Sequence, residues 1–223
     1  MNYRLYEDGS FDIVGTHQKL LHAYPAIEGR SLHALRVDVT ENTIIYQLHK
    51  ASIRLQFSIE DNKLEIRTYL KDLTGIHDFE IIGNAEVNGA RQIFVQGFGM
   101  EGPSGLYSLQ EQSTDHGTEQ TTKGLPISHG ITAMGDPHGY LFAYATDHTR
   151  YSTCFRTTLS SSLFDKKHAF TCAVNLEGTT TDIQELPVIY IKEDTDLARG
   201  LGSCAIEIAG QMNARRVMPP AFH

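Results

Sequence analysis

Tryptophan is absent from the sequence, cysteine occurs only three times, and no apolar run comes near the length of a membrane-spanning helix. Cys154, Cys172 and Cys204 cannot all pair, and none of them stands in a C-x-x-C spacing. Neither a disulfide framework nor a zinc knuckle is therefore expected. The composition predicts buried thiols and no association with a membrane.

Positive charge is also scarce. The net charge is -8, and no cluster of Lys and Arg is longer than two residues. Such a surface repels phosphate backbones, so nucleic acid is not an expected partner. Residues 1–8 lack the basic region followed by an apolar stretch that a secretory signal requires. On this basis we expect a cytoplasmic protein.

Apolar residues alternate with polar ones over much of the chain, which is typical of half-buried β-strands. The alternation is clearest over residues 35–39, 53–59 and 64–70, and the turn at residues 60–63 predicts a hairpin. Further strands are predicted at residues 79–82, 92–96, 140–145, 151–157, 169–174 and 186–191. About ten strands with frequent turns favour an all-β fold, a two-layer antiparallel β-sandwich, over alternating strands and helices.

A single helix is predicted after these strands. The polar residues 192–196 suit a helix N-terminus near Thr195. Six residues recur at steps of three and four on one predicted apolar face: Leu197, Leu201, Cys204, Ala205, Ile208 and Met212. Arg215 and Arg216 are expected in the last turn, and Pro219 and Pro220 should end the helix near Val217. We therefore expect a sandwich domain over residues 1–192 and a linker helix over residues 193–223.

Two patterns suggest a cofactor or a metal, and neither has the context it needs. Residues 97–102 match G-x-G-x-x-G, but Pro103 and two small residues follow where a helix N-terminus would have to cradle the phosphates. No dinucleotide or other cofactor is expected. His129, His138 and His148 fall near predicted strand ends, but no pair has the i, i+4 spacing of a zinc helix. We expect no metal site.

Other chemistry has little support in the pattern. There is no G-x-S-x-G sequence for a nucleophilic serine, and no cysteine lies beside an obvious base. Tyr140, Phe142 and Tyr144 share one face of a predicted strand, where core packing is the commoner role than a platform for a sugar ring. The sequence therefore contains no self-sufficient catalytic motif.

Three stretches resemble family 36, the melibiase-like α-galactosidases of glycoside hydrolase clan D. The first runs from the strand at residues 186–191 through the predicted helix to residues 212–223. The second is residues 93–99, and the third is Ser128-His129 together with residues 139–144. The second stretch is similar to the family's Asn-Gly-Tyr-Gln-Ser-Trp strand, with Gln96 in place of Asn and Phe98 in place of Tyr, and without the Gln-Ser-Trp. In that family an N-terminal β-supersandwich, related to galactose mutarotases, leads through a helix into a catalytic (β/α)8 barrel.

The resemblance implies that this chain is the non-catalytic N-terminal domain of an α-galactosidase-like retaining enzyme and ends just before the barrel. The nucleophile and the acid/base carboxylate of such an enzyme would lie on the barrel, so no residue of this chain is expected to be catalytic. The implied partners are the barrel of the same full-length chain and, in the full-length enzyme, an α-galactoside sugar. A homo-oligomer contact is a further expectation.

Phe98, His129, Asp136 and His138 are the residues expected nearest to a sugar, because they lie in the two loops, around residues 98–105 and 129–138, where the resemblance extends beyond the helix. His129 could instead satisfy buried backbone groups at a strand end. Two other functions stay open at this point. One is a free-standing aldose epimerase that uses His129 with Asp136, and the other is a module that binds a glycan or a protein.

Overall fold

The structure is a computed structural model, and it describes residues 1–97, 104–109, 125–147, 150–161, 166–177 and 183–212. In chain order its strands are β1 (Asn2–Leu5), β2 (Phe11–Val14), β3 (Lys19–Ile27), β4 (Arg30–Ser31), β5 (Arg36–Val39), β6 (Thr43–Gln47), β7 (Ser52–Glu60), β8 (Lys63–Lys71), β9 (Asp78–Asn88), β10 (Gln92–Val95), β11 (Gly105–Ser108), β12 (Ser128–His129), β13 (Ile131–Asp136), β14 (Gly139–Ala145), β15 (Ser152–Ser161), β16 (Lys166–Asn175), β17 (Ile183–Glu185) and β18 (Ile189–Asp194). One helix, α1 (Leu197–Gln211), follows them.

The strands form two antiparallel sheets that pack face to face. Sheet A has the order β1-β2-β3-β9-β16-β15-β12, with β4 paired to β3, and sheet B has the order β11-β10-β13-β14-β18-β8-β7-β6-β5, with β17 paired to β8. Alternate residues of both sheets point into one apolar core, which includes Phe11, Phe57, Phe79 and Phe155. The predicted two-layer all-β sandwich with a C-terminal helix is confirmed.

The hairpin predicted at residues 60–63 joins β7 to β8. Glu60 pairs with Lys63, and the two residues between them have left-handed backbones, with φ of 50° at Asp61 and 60° at Asn62. Asp and Asn tolerate this conformation, whose twist matches that of paired strands. The register places Ile53, Leu55 and Phe57 on the core side, as the alternation predicts.

The strands before residue 35 were not predicted. Phe11, Ile13 and Leu20 are fully buried in the core, but the register shifts between Phe11 and Ile13 and again within β3. A shift of this kind interrupts the two-residue period, because an extra residue on one strand faces a single residue on the other. The alternation that identifies the later strands is therefore lost here.

Helix α1 begins at Leu197, with Asp196 as N-cap accepting a hydrogen bond from the backbone N–H of Arg199 at 2.7 Å. This agrees with the predicted start near Thr195. The helix ends at Gln211, and Arg215, Arg216 and the two prolines lie outside the described residues. Within these limits no helix is long and apolar enough to cross a membrane.

The predicted apolar face of α1 is confirmed in part. Leu197, Leu201, Cys204 and Ile208 pack on the outer face of sheet B, whereas Ala205 and Met212 are exposed. The buried side also contains Gly200, which lies against the ring of Phe142, and a Cβ at that position would overlap the ring. Glycine is not read as an apolar residue in a sequence pattern, so its place in this contact was missed.

Candidate functional site

The outer face of sheet A, directed away from the core, carries ionisable side chains next to very small residues. One cross-strand row on this face runs from His129 on β12 through Cys154, Ala173 and Glu80 to Ala26 on β3. Their neighbours in sequence, among them Phe79, Phe155 and Val174, point into the core instead. We call the set of Asp78, Glu80, His129, Cys154 and Arg156 the Arg156 cluster.

Arg156 lies at the centre of this cluster. Its guanidinium is 3.7 Å from one carboxylate oxygen of Asp78, and the other oxygen accepts a hydrogen bond from the Asn175 amide at 3.1 Å. The positive charge of Arg156 also acts on the thiol of Cys154, where it opposes the effect of burial on the pKa. Glu80 is only 4% exposed, and the backbone N–H of Gly29, in the turn between β3 and β4, acts to lower its pKa. Arg156 thus forms an ion pair with Asp78, and its charge also acts on Glu80.

Burial controls the ionisation of this cluster. It raises the pKa of Glu80, although the nearby Arg156 and the Gly29 N–H act in the opposite direction. It also lowers the pKa of His129, and the positive charge of Arg156 lowers it further. Burial raises the pKa of the Cys154 thiol as well. The face therefore presents a carboxyl group inclined to hold its proton and an imidazole inclined to stay neutral, a combination suited to proton transfer.

A cavity of about 540 Å³ lies further along the same face, away from Glu80. It is near the start of β3 and the end of β9. It is lined by His22, Asn84, Glu86, Thr158, Lys167, His168 and Ala169. His22 and Asn84 have left-handed backbones, with φ of 55° and 49°. The register shift between β2 and β3 falls at His22, and one shift between β9 and β16 falls at Asn84. Bulges of this kind redirect side chains and are common beside functional sites.

The residues expected near a sugar are not brought together. His129 lies on β12 in sheet A, where its backbone N–H donates to Gln96 at 2.8 Å. Asp136 and His138 lie in sheet B, at the β13–β14 turn, where Asp136 accepts from the His138 N–H at 2.9 Å. β13 separates His129 from Asp136 by on the order of 20 Å of extended chain. Phe98 lies outside the described residues.

Asp136 and His138 therefore have an evident role in turn geometry, since the carboxylate closes the turn in the manner of an Asx motif. His129 does share a face with carboxylates, but they are Asp78 and Glu80. The pairing of His129 with Asp136 that we considered for an epimerase is not formed. The assignment of a substrate-binding role to these four residues stays a prediction.

Sequence reasoning missed Glu80, Arg156, His22 and Asn84. Glu80 interrupts an otherwise apolar run from Phe79 to Ile82, and a charged residue inside a predicted buried strand is a signal that could have been used. His22 and Asn84 carry no comparable signal, and each lies at a register shift, between β2 and β3 for His22 and between β9 and β16 for Asn84.

Among the described residues, no group of three or more His, Cys, Asp or Glu side chains has the geometry to hold a metal ion. The outer face of sheet B differs in character. Tyr140, Phe142 and Tyr144 are buried there beneath α1, with Tyr190 stacked on Tyr144 at 5.4 Å between ring centroids. Their predicted role as core residues is confirmed.

No family model matches the chain, and no curated protein does. Among solved structures, the chain is similar to the GH36 α-galactosidase AgaB from Geobacillus stearothermophilus, with 13% identity and a TM-score of 0.37. It is also similar to the galactosidase domain of the α-galactosidase-sucrose kinase AgaSK, with 11% identity and a TM-score of 0.29. Each match covers 87% of this chain but only 29% of the other, so the chain spans less than a third of their length. Similarities of this degree assign neither a family nor an activity.

Proposed function

We propose that this chain is a non-catalytic sandwich domain of an α-galactosidase-like retaining glycoside hydrolase, in which α1 connects the sandwich to a catalytic barrel. The observation that carries the proposal is the way α1 is attached. One side of the helix is held tightly on sheet B, while its other side presents apolar and small residues to solvent. A connector of this kind gives the following domain a fixed direction and a surface to pack on.

The attachment combines close packing with charge. Gly200 lets the helix axis approach the ring of Phe142. About two turns further along the same side, Glu207 accepts hydrogen bonds from Lys192 at 2.7 Å, from Lys63 at 3.1 Å and from the hydroxyl of Tyr144. Since Lys63 and Lys192 come from two neighbouring strands, the helix is tied to β8 and β18 together.

The opposite side of α1 lacks such partners in the described part of the chain. Ile206 is 65% exposed, and Ala198, Gly202, Ala205 and Ala209 are exposed beside it. Small residues allow another helix or sheet to approach closely, and an exposed isoleucine among them would gain from being covered. The catalytic barrel of the same full-length chain is the occupant that we assign to this side.

The test compares the present chain with the longer product obtained when the reading frame is extended past His223. We expect the longer protein to hydrolyse an aryl α-galactoside and the 223-residue chain to show no turnover above buffer. A stop codon directly after His223, or turnover by the short chain that a carboxylate substitution abolishes, would contradict the proposal.

A pair of variants tests the helix surface. Ile206→Asp should leave the unfolding midpoint of the short chain unchanged but lower that of the longer protein. Leu35→Asp is the matched control, because Leu35 is 74% exposed and lies next to the edge strand β5. Equal effects of both substitutions on the longer protein would remove the support that the helix surface gives to the proposal.

The Arg156 cluster favours a second candidate, a sugar epimerase acting on the outer face of sheet A. Three strand spacings separate His129 from Glu80 along their row, about 14 Å between Cα atoms, so the imidazole and the carboxyl group stand on either side of Cys154 and Ala173. Polarimetry of freshly dissolved α-galactose tests this candidate. Acceleration that is lost in both Glu80→Gln and His129→Ala would support it, and a rate equal to that in buffer would eliminate it.

A further inference from the structure

We propose that the cavity on the bulged part of sheet A binds a small, neutral, polyhydroxylated ligand of monosaccharide size. The cavity is distinct from the Arg156 cluster and from α1. The proposal does not depend on the accessory role suggested above, because it concerns binding by the present chain alone.

The wall of the cavity is held in place before any ligand arrives. The backbone N–H of His22, at the bulge of β3, donates to the Asp12 carboxylate at 2.8 Å. The other oxygen of that carboxylate accepts from the Tyr6 hydroxyl at 2.6 Å, and Asp12 is only 5% exposed. A buried carboxylate with two donors is a costly feature that stabilises a specific backbone conformation, here the left-handed one at His22.

Asn84 forms the neighbouring wall in a similar way. Its backbone is left-handed, and its N–H points to the hydroxyl of Thr171 on β16 at 3.3 Å. The Asn84 side chain is exposed, so its amide can offer both donors and an acceptor to a ligand. Two left-handed positions on adjacent strands, His22 and Asn84, therefore border one cavity.

The charges at the cavity favour a neutral ligand. Lys167 and Glu86 form an ion pair at 3.0 Å and cancel each other. The other lining side chains are the hydroxyl of Thr158, the methyl of Ala169, two imidazoles and the Asn84 amide. The lining thus offers both donors and acceptors beside the methyl group of Ala169, and a volume of about 540 Å³ lies within the range of small-molecule sites. A polyol satisfies such a lining without separating the ion pair.

The experiment is a titration of the isotope-labelled 223-residue chain with galactose, followed through the backbone amide signals in NMR spectra. We expect saturable, millimolar binding, with the largest shifts at Asn84, Glu86 and Thr158. Galacturonate and galactosamine serve as charged probes of the same shape, and each should bind more weakly than galactose because each competes with the Lys167–Glu86 pair.

Two substitutions should weaken galactose binding by about tenfold or more, the loss expected when a hydrogen bond to the ligand is removed. Asn84→Gly deletes the amide but suits the left-handed backbone, and Thr158→Val replaces the hydroxyl by a methyl. Their controls are Asn62→Gly, at another left-handed position, and Thr74→Val, at an exposed threonine; neither should affect binding.

Three results would overturn the proposal. One is the absence of saturable shifts with galactose. Another is tighter binding of galacturonate or galactosamine than of galactose, which would indicate an ion site. The third is equal weakening by the cavity variants and their controls.

Discussion

The two outer faces of the sandwich are built on opposite principles. Sheet B presents four aromatic rings, and α1 covers them with Gly200, Cys204 and apolar side chains. Sheet A presents Ala26, Gly83, Ala169 and Ala173, with polar and ionisable groups between them. The face of sheet B gains stability from burial and from charges that have partners. The face of sheet A keeps ionisable groups where burial disfavours their charged forms. This is the usual arrangement where a surface serves recognition or chemistry.

Two glutamates show the difference most clearly. Burial tends to raise the pKa of Glu207 on the sheet B side, but hydrogen bonds from Lys192, Tyr144 and Lys63 outweigh it and hold the pKa at about 2. Burial also raises the pKa of Glu80 on the sheet A side, and there the nearby Arg156 does not outweigh it. Ionisation of Glu207 thus stabilises the fold at neutral pH, whereas ionisation of Glu80 opposes it.

The largest effect is expected at the contact between α1 and sheet B. Gly200→Val should lower the free energy of unfolding by about 3 kcal/mol, because the side chain would overlap the buried ring of Phe142. Gly202→Val on the exposed side of the same helix is the control, since a Cβ there meets nothing within 4 Å. It should change stability by at most about 0.5 kcal/mol. Chemical denaturation of both variants measures the difference, and equal losses would show that the fit between Gly200 and Phe142 is unimportant.

The second effect concerns the charge at the helix. Glu207→Gln should reduce stability at pH 7 by about 1–2 kcal/mol, a value that allows for solvent screening of this partly exposed group. Glu60→Gln, at an exposed glutamate on β7, should stay within about 0.5 kcal/mol of the wild type. Urea denaturation of the wild type, Glu207→Gln and Glu60→Gln under identical conditions measures the two differences in stability. A Glu207→Gln variant as stable as the control would mean that the network contributes nothing.

The same variant has a defined pH dependence. Because the folded pKa of Glu207 lies below that of an unfolded glutamate, its contribution is complete above about pH 4.5 and is lost as the pH falls towards 2. The stability difference between the wild type and Glu207→Gln should therefore be constant from pH 7 to pH 5 and then shrink. A difference that persists unchanged at pH 2.5 would contradict this assignment.

The smallest effect should have the opposite sign. Since the pKa of Glu80 is raised, its ionised form is disfavoured in the folded state, and the neutral isostere in Glu80→Gln should increase stability at pH 7 by up to about 1 kcal/mol. The gain should disappear at low pH, where wild-type Glu80 is itself protonated. Thermal unfolding at pH 7 and pH 3.5 measures the gain in stability and its disappearance. A loss of stability at pH 7 would show that the ionised carboxylate is satisfied by Arg156 and Gly29, and the contrast between the two faces would no longer hold.

Several parts of this fold follow from local pattern. The alternation in β7 and β8, the left-handed turn at Asp61-Asn62 and the apolar spacing in α1 all depend on residues close in sequence, so the two-layer sandwich and its helix could be predicted. The aromatic residues of β14 were likewise recognised as core. The accessory role, the partner barrel and the positions nearest a sugar rest on resemblance to a family and stay proposals.

The sequence by itself determined which segments alternate, where the helix starts, and that the cysteines would be buried as free thiols, as all three are. Only the tertiary structure decided which face each charged residue occupies. His129 and Glu80 are 49 positions apart in the chain, but two intervening strands place them in one row, while Asp136, only seven positions from His129, belongs to the other sheet. The reason is physical: pairing register and bulges are set by hydrogen bonds between distant strands, and each shift by one residue moves side chains to the opposite face.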